Sequence, residues 1–403
     1  MFTHRSIEMM KKSFEKTAYR YAHIAEYNPA REFGVYVHIP FCLTKCRFCP
    51  FYKEIYSEDL KNKYIEAIVS EIKQSQIKGK ANWVYFGGGT PNTLPIEDIK
   101  TIVGTLASKI KISSMGIELL PDLVTNEYLS RLKDIGFTKI SIGIESLSSQ
   151  VISSSGRKQS QSANIKKYIE FAKNIGLWVS VDLMVGLPKQ DEKSFLDDVY
   201  EISNIKPNQI TIYPYMVIGK VEGRAGINEK RQFELIEEAQ NILLKKGYQR
   251  KNIWIFALGD EIYDSSRDEL IEDYAGFGAA AFSTYGNWKI VNPELDIYIN
   301  NYNKNNRMGL VAEKTKSSDD WRRFARMIYD MNCKKSRLFP WYINLYINML
   351  MIAGYARKGR LTQKGIMFAH ELTKTVVESL PYPLQNTHKI INYDEYMSDK
   401  HMY

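Results

Sequence analysis

The stretch Tyr36-Val-His-Ile-Pro-Phe-Cys42-Leu-Thr-Lys-Cys46-Arg-Phe-Cys49-Pro-Phe-Tyr52 carries three of the chain's four cysteines within eight consecutive residues. Their spacing is Cys-x3-Cys-x2-Cys. The apolar, β-branched run over residues 35–40 reads as a buried strand that delivers the loop to one end of a sheet. Thiolates this close in sequence can converge on one inorganic centre. Three of them hold three irons of a four-iron cluster and leave the fourth iron open to a ligand. A structural zinc site is the competing reading. It needs a fourth close ligand, and the nearest histidine, His38, lies within the presumed strand.

Further along, apolar strands alternate with helical stretches at βα spacing. Strands are expected at Trp83–Phe86, Gly116–Leu120, Lys139–Glu145, Leu177–Met184 and Gln209–Tyr215, after the first at 35–40. Helices are expected from Ser57 as an N-cap to Ile77, and over Ile96–Ile110, Thr125–Ile135, Ala163–Ile175 and Glu192–Ile205, with a further one at Asn228–Lys246. This alternation implies a parallel sheet with helices outside. Chemistry-bearing residues fall at strand C-termini: the cysteines after the first, Gly87-Gly-Gly-Thr90 after the second, Glu118 on the third, Glu145 after the fourth, Asp182 on the fifth and Tyr213 and Tyr215 at the sixth. An α/β barrel places its active site at that end. The fold class expected is α/β, a partial (β/α)6 TIM-like barrel with a smaller, mainly helical C-terminal domain. The divisions expected are a helical N-terminal extension over 1–32, the barrel and its extension over 33–300, and the C-terminal domain over 301–403.

Composition fits an ordinary globular protein, with 44% hydrophobic and 25% charged residues in 403. No apolar run reaches the length of a membrane span, and the first ten residues lack the pattern of a secretory signal. The expected compartment is the cytoplasm, where thiols stay reduced. The net charge of +9 is spread along the chain and reads as solvated faces, with attraction of anionic ligands as the functional alternative. Neither a nucleic-acid nor a membrane partner is expected. The lone Cys333 reads as an inert thiol.

Around the cysteines, further motifs follow in order: Tyr36-x-His38-Ile-Pro-Phe-Cys42, Gly87-Gly-Gly-Thr-Pro91, Ser141-Ile-Gly-Ile-Glu-Ser146, Gly156-Arg157, Asp182-Leu-Met-x-Gly-Leu-Pro188, and Gly276-Phe-Gly-x3-Phe-Ser283. Together they resemble the oxygen-independent coproporphyrinogen III dehydrogenase-like (HemN-like) family of radical S-adenosylmethionine (SAM) enzymes, strongly over about residues 33–300. Leu361-Thr-x-Lys-Gly365 extends the likeness weakly into the C-terminal part.

The resemblance implies that Cys42, Cys46 and Cys49 ligate a [4Fe–4S] cluster whose open iron takes a first SAM, with a second SAM bound nearby. Gly88, Gly89 and Thr90 match the segment that contacts its methionine part. Phe48 would pack on the adenine. Tyr36, Glu118, Arg157 and Asp182 match positions around the SAM molecules, and Met216 and Phe282 align with apolar contacts. Glu145 stands where the porphyrinogen enzymes carry glutamine, and it is assigned both to catalysis and to cofactor binding. An ionised carboxylate there accepts hydrogen bonds but cannot donate them. This departure, and Pro50-Phe-Tyr52 after the last cysteine, point away from the housekeeping porphyrin enzyme. The activity implied is radical methyl or methylene transfer (class C; C-methylation or cyclopropanation) on a heteroaromatic or tetrapyrrole-like small molecule. The alternatives are oxidative decarboxylation of coproporphyrinogen III and a haem chaperone without substrate turnover. A flavodoxin- or ferredoxin-like electron donor and a monomeric state complete the expectation.

Overall fold

A computed structural model describes residues 19–24, 32–157, 163–216, 225–262, 273–304, 306–378 and 390–391. Six strands pair side by side in chain order, each parallel to the next: Phe33–Ile39, Gly79–Gly88, Met115–Leu119, Lys139–Glu145, Trp178–Val185 and Gln209–Pro214. Helices Glu58–Gln74, Ile96–Ala107, Asn126–Ile135, Ala163–Asn174, Glu192–Ile205 and Glu229–Lys245 follow them in turn. Apolar side chains from one strand face, such as Val35, Val37, Ile117, Ile142, Val181 and Ile212, are fully or almost fully buried. The alternate residues carry polar and aromatic groups. Register sets Tyr36 beside Tyr85 and His38 beside Gly87, and Glu118 beside Ser141. A parallel sheet buried on both faces thus separates an apolar side, packed by helices, from a polar side.

The strand–helix junctions follow the chemistry of their sequences. Ser57 accepts from the Leu60 amide, and Thr125 from that of Tyr128. Asp191 and Ser194 form a capping box. Each cap satisfies amides that the first helical turn leaves without partners. Gly136, with φ of 107°, closes the helix before the fourth strand, a conformation that glycine enters without steric cost.

The sheet continues past both ends of this parallel set, and its path does not close. Beyond the sixth strand lie Ile255–Ala257 and Gln249–Arg250, both antiparallel. Beyond the first lies Tyr274–Phe277, parallel to it, followed by the antiparallel strands Phe282–Tyr285, Trp288–Val291, Met308–Glu313 and Tyr19–His23. This is a partial barrel with a sheet extension. One expectation changes here. Tyr19–His23 is a strand rather than part of a helix, because Tyr19 and Tyr21 alternate into an apolar cluster with Val291, Ile297, Leu310 and Ala312. Residues 1–18 and 25–31 of the expected N-terminal helix lie outside the described residues. Strands Tyr274–Phe277 and Phe282–Tyr285 are joined by a tight turn, and helix Leu295–Asn303 follows the strand Trp288–Val291.

C-terminal helices Lys316–Tyr329, Trp341–Ile352 and Gln363–Glu378 share one continuous apolar core with the barrel helices. Cys333 is a buried member of that core.

A buried carboxyl ties the extension to the barrel. Glu71, on helix Glu58–Gln74, accepts from the Gly278 amide (2.8 Å), Asn292 Nδ2 (2.8 Å), Tyr298 Oη (2.5 Å) and Tyr302 Oη (2.9 Å). Its burial raises the carboxyl pKa, and the four donors oppose that rise. Glu71→Ala should cost at least about 3 kcal/mol in urea unfolding, since several buried donors lose their acceptor, against about 1 kcal/mol for Tyr302→Phe.

Candidate active site

The cysteine loop leaves the first strand at Ile39 and is tied down on several sides. Phe41–Cys42 pairs with Glu54–Ile55. Lys53 Nζ donates to the Cys49 carbonyl at 2.8 Å, and the Arg47 amide to Ser155 O at 3.0 Å. Phe48 is buried with Val151, Leu187 and Tyr215, beside Cys46 and Cys49, so it pins the loop from below.

The glycine segment meets this loop directly. The Gly89 amide donates to Ile39 O at 2.7 Å. A Cβ on Gly89 would lie 2.7 Å from the Phe41 carbonyl, and one on Gly88 would lie 2.7 Å from the His38 ring. Gly89 is therefore required by the approach of two backbones, and Gly88 by its φ of 113° beside the His38 ring, whatever else they contact. Thr90 Oγ1 lies 3.4 Å from Cys42 Sγ.

The donor set fits an iron–sulfur cluster. Cys42, Cys46 and Cys49 are unpaired thiols. Burial raises the Cys42 pKa and pushes that of Cys46 to about 11, while the nearby Arg157 guanidinium favours thiolate at both. Thiols in such surroundings ionise when a metal centre takes the charge. The zinc alternative loses its fourth ligand. His38 Nε2 donates to Tyr52 O (3.2 Å), which leaves Nδ1 to accept from Tyr36 Oη (2.9 Å). Burial holds this imidazole neutral, with its pKa lowered to about 4. Among the described residues, no three His, Cys, Asp or Glu side chains converge as a single ion would need.

Next to the thiols, three carboxyls share the polar side of the sheet. Glu118 accepts from Tyr85 Oη, and burial lifts its pKa to about 7. Asp182 accepts from Ser141 Oγ at 2.8 Å, and burial, then the charge of Glu145, lift its pKa to about 8. Glu145 sits at a register shift with φ of 65° and pairs with Arg157 Nη1 at 3.1 Å. Its pKa is raised by burial and opposed by that guanidinium. Asp198 holds the next turn through Ser146 Oγ (2.6 Å) and the Leu147 amide (3.0 Å). A left-handed conformation at a non-glycine residue persists only where neighbours fix it, and it aims Glu145 at Arg157.

Tyr36 stacks on Tyr85 with ring centroids 6.3 Å apart, and Phe282 packs against the same group together with Trp83 and Tyr274. Met216 instead packs against the main core. Four residues of this region had no role assigned from the sequence: Tyr85, Ser141 (named only as the start of a motif), Asp198, and His38 as a hydrogen-bond bridge. The period-two pattern Trp83-x-Tyr85-x-Gly87 carried a signal for Tyr85. Nothing in the local sequence marked Asp198, whose partners are 51 and 52 residues away.

Residues 36–199 match the radical SAM superfamily model. The chain therefore carries a radical SAM domain, and its homologues are HemN-like. It is 26% identical over 326 residues to the heme chaperone HemW of Buchnera aphidicola subsp. Schizaphis graminum, covering 78% of this chain and 82% of that one. It is 29% identical over 220 residues to the anaerobilin synthase of Escherichia coli O157:H7, covering 52% and 49%. Its fold matches that of coproporphyrinogen III oxidase (HemN) from Escherichia coli, with a TM-score of 0.73, 21% identity and coverage of 87% and 91%. The cofactors that go with this domain are a [4Fe–4S] cluster and SAM.

A carboxyl whose pKa is raised by folding binds its proton more tightly in the folded chain than in the unfolded one. Stability therefore falls as pH rises from the ordinary carboxylate range through about 8 for Asp182. Asp182→Asn removes that loss, and in denaturant titrations of the cofactor-free protein it should gain about 2 kcal/mol over wild type near pH 9, with little gain near pH 4.

Proposed function

We propose that this protein transfers a methyl or methylene group from SAM to a heteroaromatic or tetrapyrrole-like small molecule by radical chemistry. The observation that carries the reading is the charge balance of the site. Glu118, Glu145 and Asp182 influence one another's ionisation, and Arg157 is paired with Glu145 alone among them. Buried carboxyls in excess of cations stay protonated until a cationic ligand arrives. SAM carries a sulfonium and an ammonium, and two molecules match such a site better than one.

Cys42, Cys46 and Cys49 would hold the cluster, which with SAM supplies a 5′-deoxyadenosyl radical able to take hydrogen from an unactivated carbon. The chain's own residues do the rest. Arg157 balances charge at Cys42, Cys46 and Glu145 together. Its Nε, buried and without a partner among the described residues, is a donor suited to a ligand carboxylate. Glu118 and Asp182 give up protons to accommodate positive charge, and both are poised to do so near neutral pH. Tyr36, Tyr85 and Phe282 offer aromatic surface for a planar group. The enclosing strands keep water from the reactive carbon.

A second reading, a haem chaperone that binds haem without turning it over, is supported by the likeness to HemW. Oxidative decarboxylation is supported by fold likeness to coproporphyrinogen III oxidase. One anaerobic experiment separates the three. The reconstituted protein is incubated with a reductant, SAM labelled in its methyl carbon, and either coproporphyrinogen III, haem or a small heteroaromatic. Label in a substrate-derived product is the expected result. Carbon dioxide release without label transfer would establish the decarboxylase instead, and tight haem binding without product the chaperone. Cys46→Ala should abolish SAM cleavage in every case, and cleavage that persisted would refute the ligand assignment.

A further inference from the structure

The segment from Met331 to Leu361 has no Asp or Glu, yet holds six basic residues: Lys334, Lys335, Arg337, Arg357, Lys358 and Arg360. All six are exposed. The fold gathers them. The Cys333 amide donates to Gly359 O at 3.1 Å, and Asn332 bridges to Arg360, so the strand-like run before the helix lies along the hairpin after it. Lys334 packs so closely on Gly359 that a Cβ there would lie 2.7 Å from its stem.

Between these two basic arms runs helix Trp341–Ile352. One face, Ile343, Tyr346, Ile347 and Leu350, is buried in the core, with Tyr346 against Trp321 and Phe324. The opposite face is also apolar. Trp341, Leu345 and Ile352 follow at helical spacing, with Leu338 just before them, and their exposures are 76%, 48%, 87% and 82%. A helix apolar on both sides within one fold marks a surface meant to be covered.

We infer that this face is a docking surface for an anionic lipid bilayer, on which the helix lies in the headgroup region with Leu338, Trp341 and Ile352 inserted. The charge and the side-chain types choose this occupant. A second copy of the chain would bring the same six cations against these, because a two-fold interface uses the same patch twice. Single-stranded nucleic acid is held by stacking on aromatic rings, and three of the four exposed apolar residues are aliphatic. Aliphatic and tryptophan side chains that protrude between lysines and arginines match the depth profile of an interfacial helix, with apolar tips in the acyl boundary and cations at the phosphates. Among the described residues no helix is long and apolar enough to cross a membrane, so the contact is peripheral. The proposal goes beyond the sequence analysis, which expects no membrane partner. It is independent of the reaction assigned to the barrel.

The test uses the full chain and flotation with two kinds of vesicle, phosphatidylcholine alone and phosphatidylcholine with phosphatidylglycerol. The protein should float with the second kind and not with the first. Two double variants should each lower the bound fraction at least about fivefold: Trp341→Ser with Ile352→Ser, and Lys334→Glu with Lys335→Glu. All four side chains are exposed, so the melting temperatures should match wild type; the fluorescence of Trp341, isolated by difference from Trp341→Phe, should be quenched by brominated lipid acyl chains. No flotation with anionic vesicles overturns the proposal. So does flotation unchanged by either variant, and so does binding that depends on the lysines but not on Trp341 and Ile352.

Discussion

The seam between the first two parallel strands is the constraint on which the rest depends. Phe33–Ile39 and Gly79–Gly88 run in register and end together, so the loop that follows each must pass the other at backbone contact. Gly89 makes that passage possible, since any side chain there would strike the Phe41 carbonyl. The Gly89 amide binds Ile39 O, and Thr90 reaches Cys42 Sγ. Three thiols are thereby fixed at the C-terminal end of the sheet, where the other strands also deliver their functional residues.

The polar side of the sheet is arranged against its own solvation. Glu118, Glu145 and Asp182 are taken out of water and placed near one another, and their raised pKa values record the cost. Ser141, Tyr85 and Arg157 each support one carboxyl, but together they do not balance the charge. Such an arrangement is stable when the carboxyls are protonated or when a cation binds. Elsewhere in the molecule a buried carboxyl is fully supported: Glu71 has four donors and serves as a structural tie. The contrast between the two environments is what distinguishes the candidate site from the core.

Much of this was legible in the sequence. The βα alternation gave the six parallel strands within a residue or two, except that the second begins four residues earlier than expected, at Gly79, because apolar runs of that length closed by Gly, Pro and capping residues have few other solutions. The cysteine spacing and the glycine segment marked the candidate site. What escaped has physical reasons. The strand Tyr19–His23 is short, and its partner Met308–Glu313 is nearly three hundred residues away, so no local pattern announced it. The strands after Tyr274 carry no strand pattern because their glycines and alanines pack by backbone approach: a Cβ on Gly276 would lie 1.9 Å from Phe282 O. Arg157 is a motif residue only 12 positions after Glu145, but nothing in that stretch marks the two as partners, and the turn after Glu145 is fixed by Asp198 from 51 and 52 residues away.

The account rests on a four-iron cluster at Cys42, Cys46 and Cys49 with one iron open to SAM. Electron paramagnetic resonance of the anaerobically reconstituted, reduced protein, with iron and sulfide assayed on the same sample, tests this most directly. The account predicts about four irons and four sulfides per chain and a reduced-cluster signal that changes shape when SAM is added. Bound zinc without iron or sulfide, or a cluster signal indifferent to SAM, would contradict it.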